Sequence, residues 1–108
     1  MTLRKRRTDR NHVLYVITNE VTQEQYVGLT VVTSTVKHSL HRRMQKHMQR
    51  ALAENKSWGL CQALRLHGAE AFTYGALQVV RGKAAAHAAE TVIINEYRPA
   101  LNSFMKGI

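Results

Sequence analysis

The change in hydrophobic period along the chain is the feature that most constrains its fold. Residues 12–19 (HVLYVITN) and 24–28 (EQYVG) are short runs rich in β-branched and aromatic residues, separated by a polar break. This pattern predicts a β-hairpin. Residues 71–80 (AFTYGALQVV) have the same character and predict a third strand. From about residue 39, apolar residues instead recur at four-residue spacing, which indicates a helix.

The first helix is predicted to begin near Ser39, as its N-cap. Residues 29–38, which precede it, are β-prone and rich in Ser and Thr, and they fit either an extension of the second strand or a loop. The apolar residues that recur along this helix are Leu40, Met44, Met48 and Leu52.

Two further helices are predicted from their boundary residues. Residues 57–67 fit a helix that starts at Ser57 and stops at Gly68. Residues 83–97 fit a third helix, which Pro99 ends. The side chains predicted to share one side of the second helix are Trp58, Cys61 and Leu64.

The predicted order β-β-α-α-β-α indicates an α+β fold with a small three-stranded antiparallel sheet flanked by helices. A length of 108 residues suits one domain with a modest core. Residues 1–11 are strongly basic and almost free of apolar residues, and we interpret them as a flexible basic arm. Residues 12–108 then form a single domain.

The charge balance indicates a polyanionic partner. Sixteen Lys and Arg residues face seven Asp and Glu residues, for a formal net charge of +9. A small chain with so large a positive charge favours nucleic acid as its binding partner. The single cysteine, Cys61, excludes an intramolecular disulfide and a zinc site built from cysteines. We expect a cytoplasmic protein without a membrane partner, since no apolar run approaches 18 residues and no signal-peptide core follows the N-terminus.

Glu90 differs from the other acidic residues because its helical neighbours are largely apolar. A carboxylate on a partly buried stripe is costly unless a cation or hydrogen bonds meet it. Two interpretations remain from the pattern alone: a glutamate that reaches water or a lysine, or a functional carboxylate. The stripe that passes beside Glu90 comprises Ala86, Ala89, Ile93 and Tyr97.

The segment HRRMQKHMQR, residues 41–50, is the second candidate for function. Arg43 and His47 are four residues apart and therefore project from the same face of a helix. This face fits either a solvated basic surface or a phosphate clamp with a proton-transfer group. A zinc site at His38 and His41 is disfavoured, because the chain offers no cysteine partner and no HExxH motif.

Taken in order, these segments resemble the GIY-YIG nuclease family. VLY (residues 13–15) and YVG (26–28) resemble the two halves of its signature, although the first half keeps only its tyrosine. RRMQKH resembles the family's Arg-x-x-x-His element, and AAETVIINEYRPALN resembles its glutamate helix closed by Tyr-x-Pro-x-x-Asn. The segment NKSWGLCQALRLHGAEAFTYGALQVV resembles the part between them. The likeness spans about residues 13–104.

The resemblance implies a role for individual residues. Glu90 is expected to hold one divalent metal ion, Mg²⁺ or Mn²⁺, and Arg43 to contact the scissile phosphate. Tyr15 is expected to orient or deprotonate the attacking water, with His47 polarising it or relaying the proton. The remaining residues assigned to the site are Tyr26, which lines it, Gly28, which allows close backbone approach, and Asn102, which positions the C-terminal segment.

The resemblance also implies the reaction, which is hydrolysis of DNA phosphodiesters with one strand nicked per active site. Homing-type and phage-type endonucleases suit the size of the chain. Either the nuclease has relaxed specificity, or it reads DNA through the arm (residues 1–11), residues 29–38, a homodimer or a separate partner. The alternatives are an inactive nucleic-acid-binding module of the same fold and an RNA-binding or ribosome-associated protein. The residues expected to contact DNA are Arg4, Lys5, Arg6, Arg7, Arg42, Lys46 and Arg50.

Overall fold

The computed structural model describes residues 10–52 and 59–102. The predicted α+β fold and its element order are confirmed within these ranges. Arg4 to Arg7 of the predicted arm, and Ser57 and Trp58 of the second helix, lie outside the described residues. The elements are β1 (Asn11–Asn19), β2 (Gln25–Val31), α1 (Val36–Leu52), α2 (Gly59–His67), a 3₁₀ turn (Ala69–Ala71), β3 (Phe72–Arg81) and α3 (Lys83–Tyr97).

The three strands form an antiparallel sheet with β1 at its centre, in the order β2-β1-β3. Tyr15 of β1 pairs with Gly28 of β2 and with Ala76 of β3, and Ile17 pairs with Tyr26. Because side chains alternate along a strand, Tyr15, Tyr26 and Gly28 share one face of the sheet. The two halves of the signature are therefore neighbours in the hairpin.

The core lies between that face of the sheet and the helices α1 and α2. Val13, Tyr15 and Ile17 from β1 are at most 2% exposed. The other face of the sheet packs against α3, which contacts all three strands. The core members contributed by the other elements are Leu40, Ala51, Leu60, Cys61, Leu64, Phe72 and Leu101.

Helix α1 begins at Val36, so the prediction of Ser39 as its N-cap was wrong. Thr35 caps the helix instead, because its Oγ1 accepts a hydrogen bond from the His38 N–H at 3.0 Å. Ser39 is buried in the first turns, where its Oγ accepts a hydrogen bond from the Thr33 N–H at 3.1 Å. The preceding segment thus contains the end of β2, a four-residue connection at 32–35 and the start of α1.

The apolar face of α1 does not include Leu52, which is 66% exposed, whereas Leu40 is 6% exposed. Strict four-residue spacing drifts around a helix with 3.6 residues per turn, so Leu52 points about 120° away from Leu40. Ala51 occupies the buried position at this end of the helix. Met44 and Met48 are partly buried against the core, as predicted.

The ends of α2 and α3 follow the predicted stop signals. Gly68 has a positive φ of 81°, and its N–H donates to the Leu64 carbonyl at 2.9 Å. Arg98 closes α3 in the left-handed region just before Pro99. Tyr97 is 72% exposed, so the predicted apolar stripe of α3 ends before it. Among residues 10–52 and 59–102, no helix has the length and apolar character needed to cross a membrane.

Candidate active site

Tyr15 and His47 form a buried hydrogen bond between the centre of the sheet and α1. The Tyr15 Oη lies 2.8 Å from the His47 Nε2, and both side chains are at most 3% exposed. Arg43, one turn earlier on α1, donates from Nε to the Tyr15 Oη at 3.3 Å. The four-residue spacing of Arg43 and His47 therefore delivers both side chains to one tyrosine hydroxyl.

Burial and nearby cations set the protonation states of this pair. Burial is the main cause that raises the pKa of Tyr15, with a smaller opposing effect from Arg43. Burial, together with smaller effects from the charges of Arg43 and Arg50, lowers the pKa of His47 to about 4. The phenol is thus protonated and the imidazole neutral near pH 7. With the imidazole proton on Nδ1, the Tyr15 O–H donates to the His47 Nε2.

Tyr26 completes an aromatic cluster with these two residues. Its ring centroid lies 5.2 Å from that of His47 in an edge-to-face arrangement and 6.2 Å from that of Tyr15. Burial is the main cause that raises the pKa of Tyr26, while the charge of Arg43 lowers it and that of Glu90 raises it. Tyr26 therefore lies within the electrostatic reach of both a cation from α1 and a carboxylate from α3.

Gly28 allows the Tyr15 ring to lie directly over β2. A Cβ atom at this position would overlap the Tyr15 Oη and lie 2.8 Å from the Tyr26 Cε1. Such distances are shorter than van der Waals contact. The second half of the signature therefore needs glycine because the tyrosine of the first half occupies that space.

Glu90 lies on α3 with 22% of its side chain exposed. Burial is the main cause that raises its pKa, and the charges of His87 and Arg43 oppose that rise. The His87 Nδ1 lies 3.6 Å from the Glu90 Oε1. The neighbour of this carboxylate is thus a histidine rather than the lysine considered from sequence. No role was predicted for His87, although its position three residues before Glu90 on a helix was a readable signal.

Asn102 holds the edge of β2 next to the signature. Its Oδ1 accepts a hydrogen bond from the Val27 N–H, and its Nδ2 donates to the Val27 carbonyl, both at 2.8 Å. The Leu101 N–H donates to the Gln25 carbonyl at 2.9 Å. The side chain of Asn102 thus pairs with the strand between Tyr26 and Gly28 as a neighbouring strand would.

The family comparison covers nearly all of the chain. A model of the GIY-YIG catalytic domain matches residues 11–104. The chain belongs to the GIY-YIG family. Neither the search of curated proteins nor the search of solved structures gave a match. The family has a nuclease-type fold, and DNA is the substrate that such a domain implies.

The altered first half of the GIY-YIG signature retains its structural place. Val13 and Leu14 stand where the signature has Gly and Ile, and both are fully buried in β1. They lie on opposite faces of the sheet, so each packs into a different layer. The strand therefore presents Tyr15 to His47 despite both changes.

A basic cleft opens beside the GIY-YIG site between β2 and α1. It encloses about 230 Å³, and Arg43 is one of its lining residues. Arg50, also predicted to contact DNA, acts electrostatically on His47 and Tyr26. The other lining residues are Thr30, Val31, Thr33, Ser39, Arg42 and Lys46.

The donor set at Glu90 fits a hard divalent cation better than structural zinc. Within the described ranges, no group of three or more His, Cys, Asp or Glu side chains could hold a metal ion. His41 instead lies 3.4 Å from the Tyr74 Oη through its Nδ1. The Glu90 carboxylate offers the oxygen donor that Mg²⁺ prefers, and water and phosphate oxygens can occupy other coordination positions. Glu90 thus fits the metal that the family resemblance implies.

Proposed function

We propose that this chain is a divalent-metal-dependent DNA endonuclease of homing or phage type that hydrolyses phosphodiester bonds and nicks one strand per active site. The observation that carries the proposal is the Tyr15 hydroxyl, which is hydrogen-bonded to both His47 and Arg43. Glu90 acts on the same cluster from α3. These groups supply a proton path, a phosphate-binding cation and a carboxylate for a metal ion.

The proton path runs from water through Tyr15 to His47. Tyr15 is protonated and donates to a neutral imidazole, so its oxygen can take a proton from water only as its own proton moves to Nε2. The water oxygen forms a bond to phosphorus, and the bond from phosphorus to the 3′ oxygen breaks. The 3′ oxygen leaves as an alkoxide and takes a proton from bulk water, and His47 returns its proton to solvent. The products are a 5′-phosphate and a 3′-hydroxyl.

Binding of DNA would make His47 a stronger base. The cations Arg43 and Arg50 contribute to its low pKa in the free protein. A phosphate bound at Arg43 compensates this positive charge, and an anion nearby favours protonated imidazole. Proton transfer to His47 thereby becomes more favourable when the substrate is in place. Arg43 also stabilises the charge that develops on the equatorial phosphate oxygens.

Glu90 would hold the metal ion, and Asn102 would fix the strand that carries Tyr26 and Gly28. A bound divalent cation supplies Lewis-acid stabilisation for the leaving 3′ oxygen. Because the Glu90 side chain is partly buried, its carboxylate is held in a more fixed orientation than that of an exposed glutamate. The double hydrogen bond from Asn102 to Val27 keeps the edge of the site in place.

The basic cleft would bind the substrate backbone beside the scissile phosphate. Arg42 and Lys46 line it together with Arg43, and the chain carries a net charge of +9. Such charge gives affinity without reading sequence. Specificity would then come from the basic arm, the connection between β2 and α1, a homodimer or a separate partner. A cytoplasmic location is part of the same proposal.

Nicking of a supercoiled plasmid tests the proposal. The reactions contain Mg²⁺ or Mn²⁺ and compare the wild type with Glu90→Gln and Glu96→Gln, with EDTA as the chelated control. Glu96 is an exposed glutamate on the same helix and provides a matched variant. We expect nicking by the wild type and Glu96→Gln, and a loss of at least about 100-fold for Glu90→Gln.

The opposite outcome is also informative. DNA binding by all three proteins without nicking under either metal would contradict the endonuclease proposal. The inactive nucleic-acid-binding module of the same fold would then become the leading function.

A further inference from the structure

We propose that His87 is a second ligand of the metal ion at Glu90, which makes the site a nitrogen–oxygen chelate that prefers Mn²⁺ to Mg²⁺. This inference rests on the proposed role of Glu90 as a metal ligand. His87 has no place in the family signature as it is matched on this chain. It is proposed from its position beside the carboxylate.

The distance between the two side chains suits chelation. The His87 Nδ1 and the Glu90 Oε1 are 3.6 Å apart, on adjacent turns of α3. Two adjacent ligands of an octahedral ion with bonds near 2.1 Å are about 3 Å apart. A small side-chain rotation closes this difference. Helices in di-iron carboxylate proteins place a glutamate and a histidine at i and i+3 in one metal site, and α3 has the same spacing with the order of the two residues reversed.

The exposure of the two side chains leaves room for the other ligands. His87 has 55% of its side chain exposed and Glu90 has 22%. Among the described residues, no group of three or more His, Cys, Asp or Glu could hold a metal ion, and the proposed site has His87 and Glu90 as its protein donors. Water molecules and a substrate phosphate oxygen would occupy the remaining positions.

The imidazole determines which ion the site favours. A carboxylate with water ligands suits Mg²⁺ and Mn²⁺ alike. Mg²⁺ prefers oxygen donors and retains its water molecules, whereas first-row transition metals accept imidazole nitrogen readily. His87 therefore adds a bond that Mn²⁺ uses and Mg²⁺ largely forgoes. The preference for Mn²⁺ over Mg²⁺ should depend on His87.

Electron paramagnetic resonance of Mn²⁺ tests this inference without measuring activity. Titration of the full chain gives the Mn²⁺ affinity, competition gives the Mg²⁺ affinity, and pulsed spectra report a directly bonded ¹⁴N. The variants are His87→Ala, Glu90→Gln and, as matched control, His38→Ala. His38 is an exposed histidine on α1.

We expect the wild type and His38→Ala to bind one Mn²⁺ at the site with a ¹⁴N coupling. His87→Ala should lose this coupling, and its Mn²⁺-to-Mg²⁺ affinity ratio should fall about tenfold, the scale of a lost supporting ligand. A ¹⁴N coupling that persists in His87→Ala, or an unchanged affinity ratio, would overturn the inference.

The Glu90→Gln variant separates the two proposals. Mn²⁺ binding that disappears in Glu90→Gln but is unchanged in His87→Ala would overturn the role of His87 alone. Mn²⁺ binding that is unaffected by Glu90→Gln would contradict the proposed metal role of Glu90 and, with it, the chelate.

Discussion

At the residue scale, the Tyr15 hydroxyl connects the imidazole of His47 with the guanidinium of Arg43. Tyr15 donates to His47 and accepts from Arg43, so its proton and one oxygen lone pair are used inside the protein and the second lone pair is left for water. The same burial that raises the pKa of Tyr15 lowers that of His47. Burial therefore keeps both the Tyr15 phenol and the His47 imidazole neutral, which are the protonation states that their hydrogen bond needs.

The low pKa of His47 predicts a pH-dependent loss of stability. His47 has a pKa of about 4 when folded and about 6.5 when unfolded. Between these values the unfolded chain binds a proton that the folded chain does not. The free energy of unfolding should therefore decrease as the pH falls through this window, by about 3 kcal/mol in total.

Urea unfolding of the wild type and His47→Gln at pH 7, 5.5 and 4 measures this contribution. Glutamine does not titrate and can accept the Tyr15 hydrogen bond, so it is a suitable comparison. We expect the wild type to lose more stability than the variant as the pH falls. Parallel curves for the two proteins would contradict the low pKa of His47.

At the element scale, the site forms where the hairpin of β1 and β2 lies close to α1. β1 and β2 bring Tyr15 opposite Gly28, and α1 passes over this pair with Arg43 and His47. The spacing leaves no volume for a side chain at Gly28. The geometry of the site thus depends on backbone positions as well as on polar side chains.

Gly28→Ala should therefore disturb the site, and Gly75→Ala should not. A Cβ at Gly28 overlaps the Tyr15 Oη, whereas a Cβ at Gly75 on β3 meets nothing within 4 Å. We expect Gly28→Ala to lower the free energy of unfolding by about 1–3 kcal/mol and to reduce nicking at least tenfold. Thermal unfolding and plasmid nicking of both variants check this. Equal behaviour of the two would show that the Tyr15 ring moves aside without cost.

The edge of β2 depends on Asn102 in the same way. Asn102→Ala removes two hydrogen bonds and leaves the Val27 backbone groups without this partner. We expect a loss of about 1–3 kcal/mol in the free energy of unfolding, together with reduced nicking. Asn95→Ala, at an exposed asparagine on α3, is the control and should change both by little. Equal stability of the two variants would contradict the clamping role of Asn102.

At the scale of the whole molecule, the chain is strongly basic and some of its cations lie beside the site. The chain has a net charge of +9, and three of its cations line the cleft between β2 and α1. Phosphate contacts release counterions from DNA, so affinity should fall steeply with salt concentration. Cations that line the cleft should contribute more to this salt dependence of DNA affinity than cations elsewhere on the protein.

The salt dependence of DNA binding tests that difference. We expect Arg42→Ala and Lys46→Ala each to reduce the slope of log K against log salt concentration by about 1. Lys83→Ala, at the start of α3 and outside the cleft, should leave the slope nearly unchanged. Binding isotherms at several salt concentrations give the slopes. A larger effect at Lys83 would place the DNA elsewhere on the surface.

Much of the fold was readable because its signals are local. Runs rich in β-branched and aromatic residues marked the three strands, and Gly68 and Pro99 marked helix ends correctly. The start of α1 was misjudged because Thr35 caps the helix while Ser39 bonds to Thr33, a choice that depends on how the connection folds back. Leu52 was misplaced because four-residue spacing only approximates the helical period.

Sequence by itself determined the element order, the shared face of Arg43 and His47, and the adjacency of His87 and Glu90, because each depends on a short stretch of backbone. Tertiary structure decided what those groups meet. The Tyr15–His47 bond spans 32 positions and the Asn102–Val27 bonds span 75. Protonation states also depended on the fold, since the pKa of Tyr15, His47 and Glu90 shifts chiefly through burial, which only packing creates.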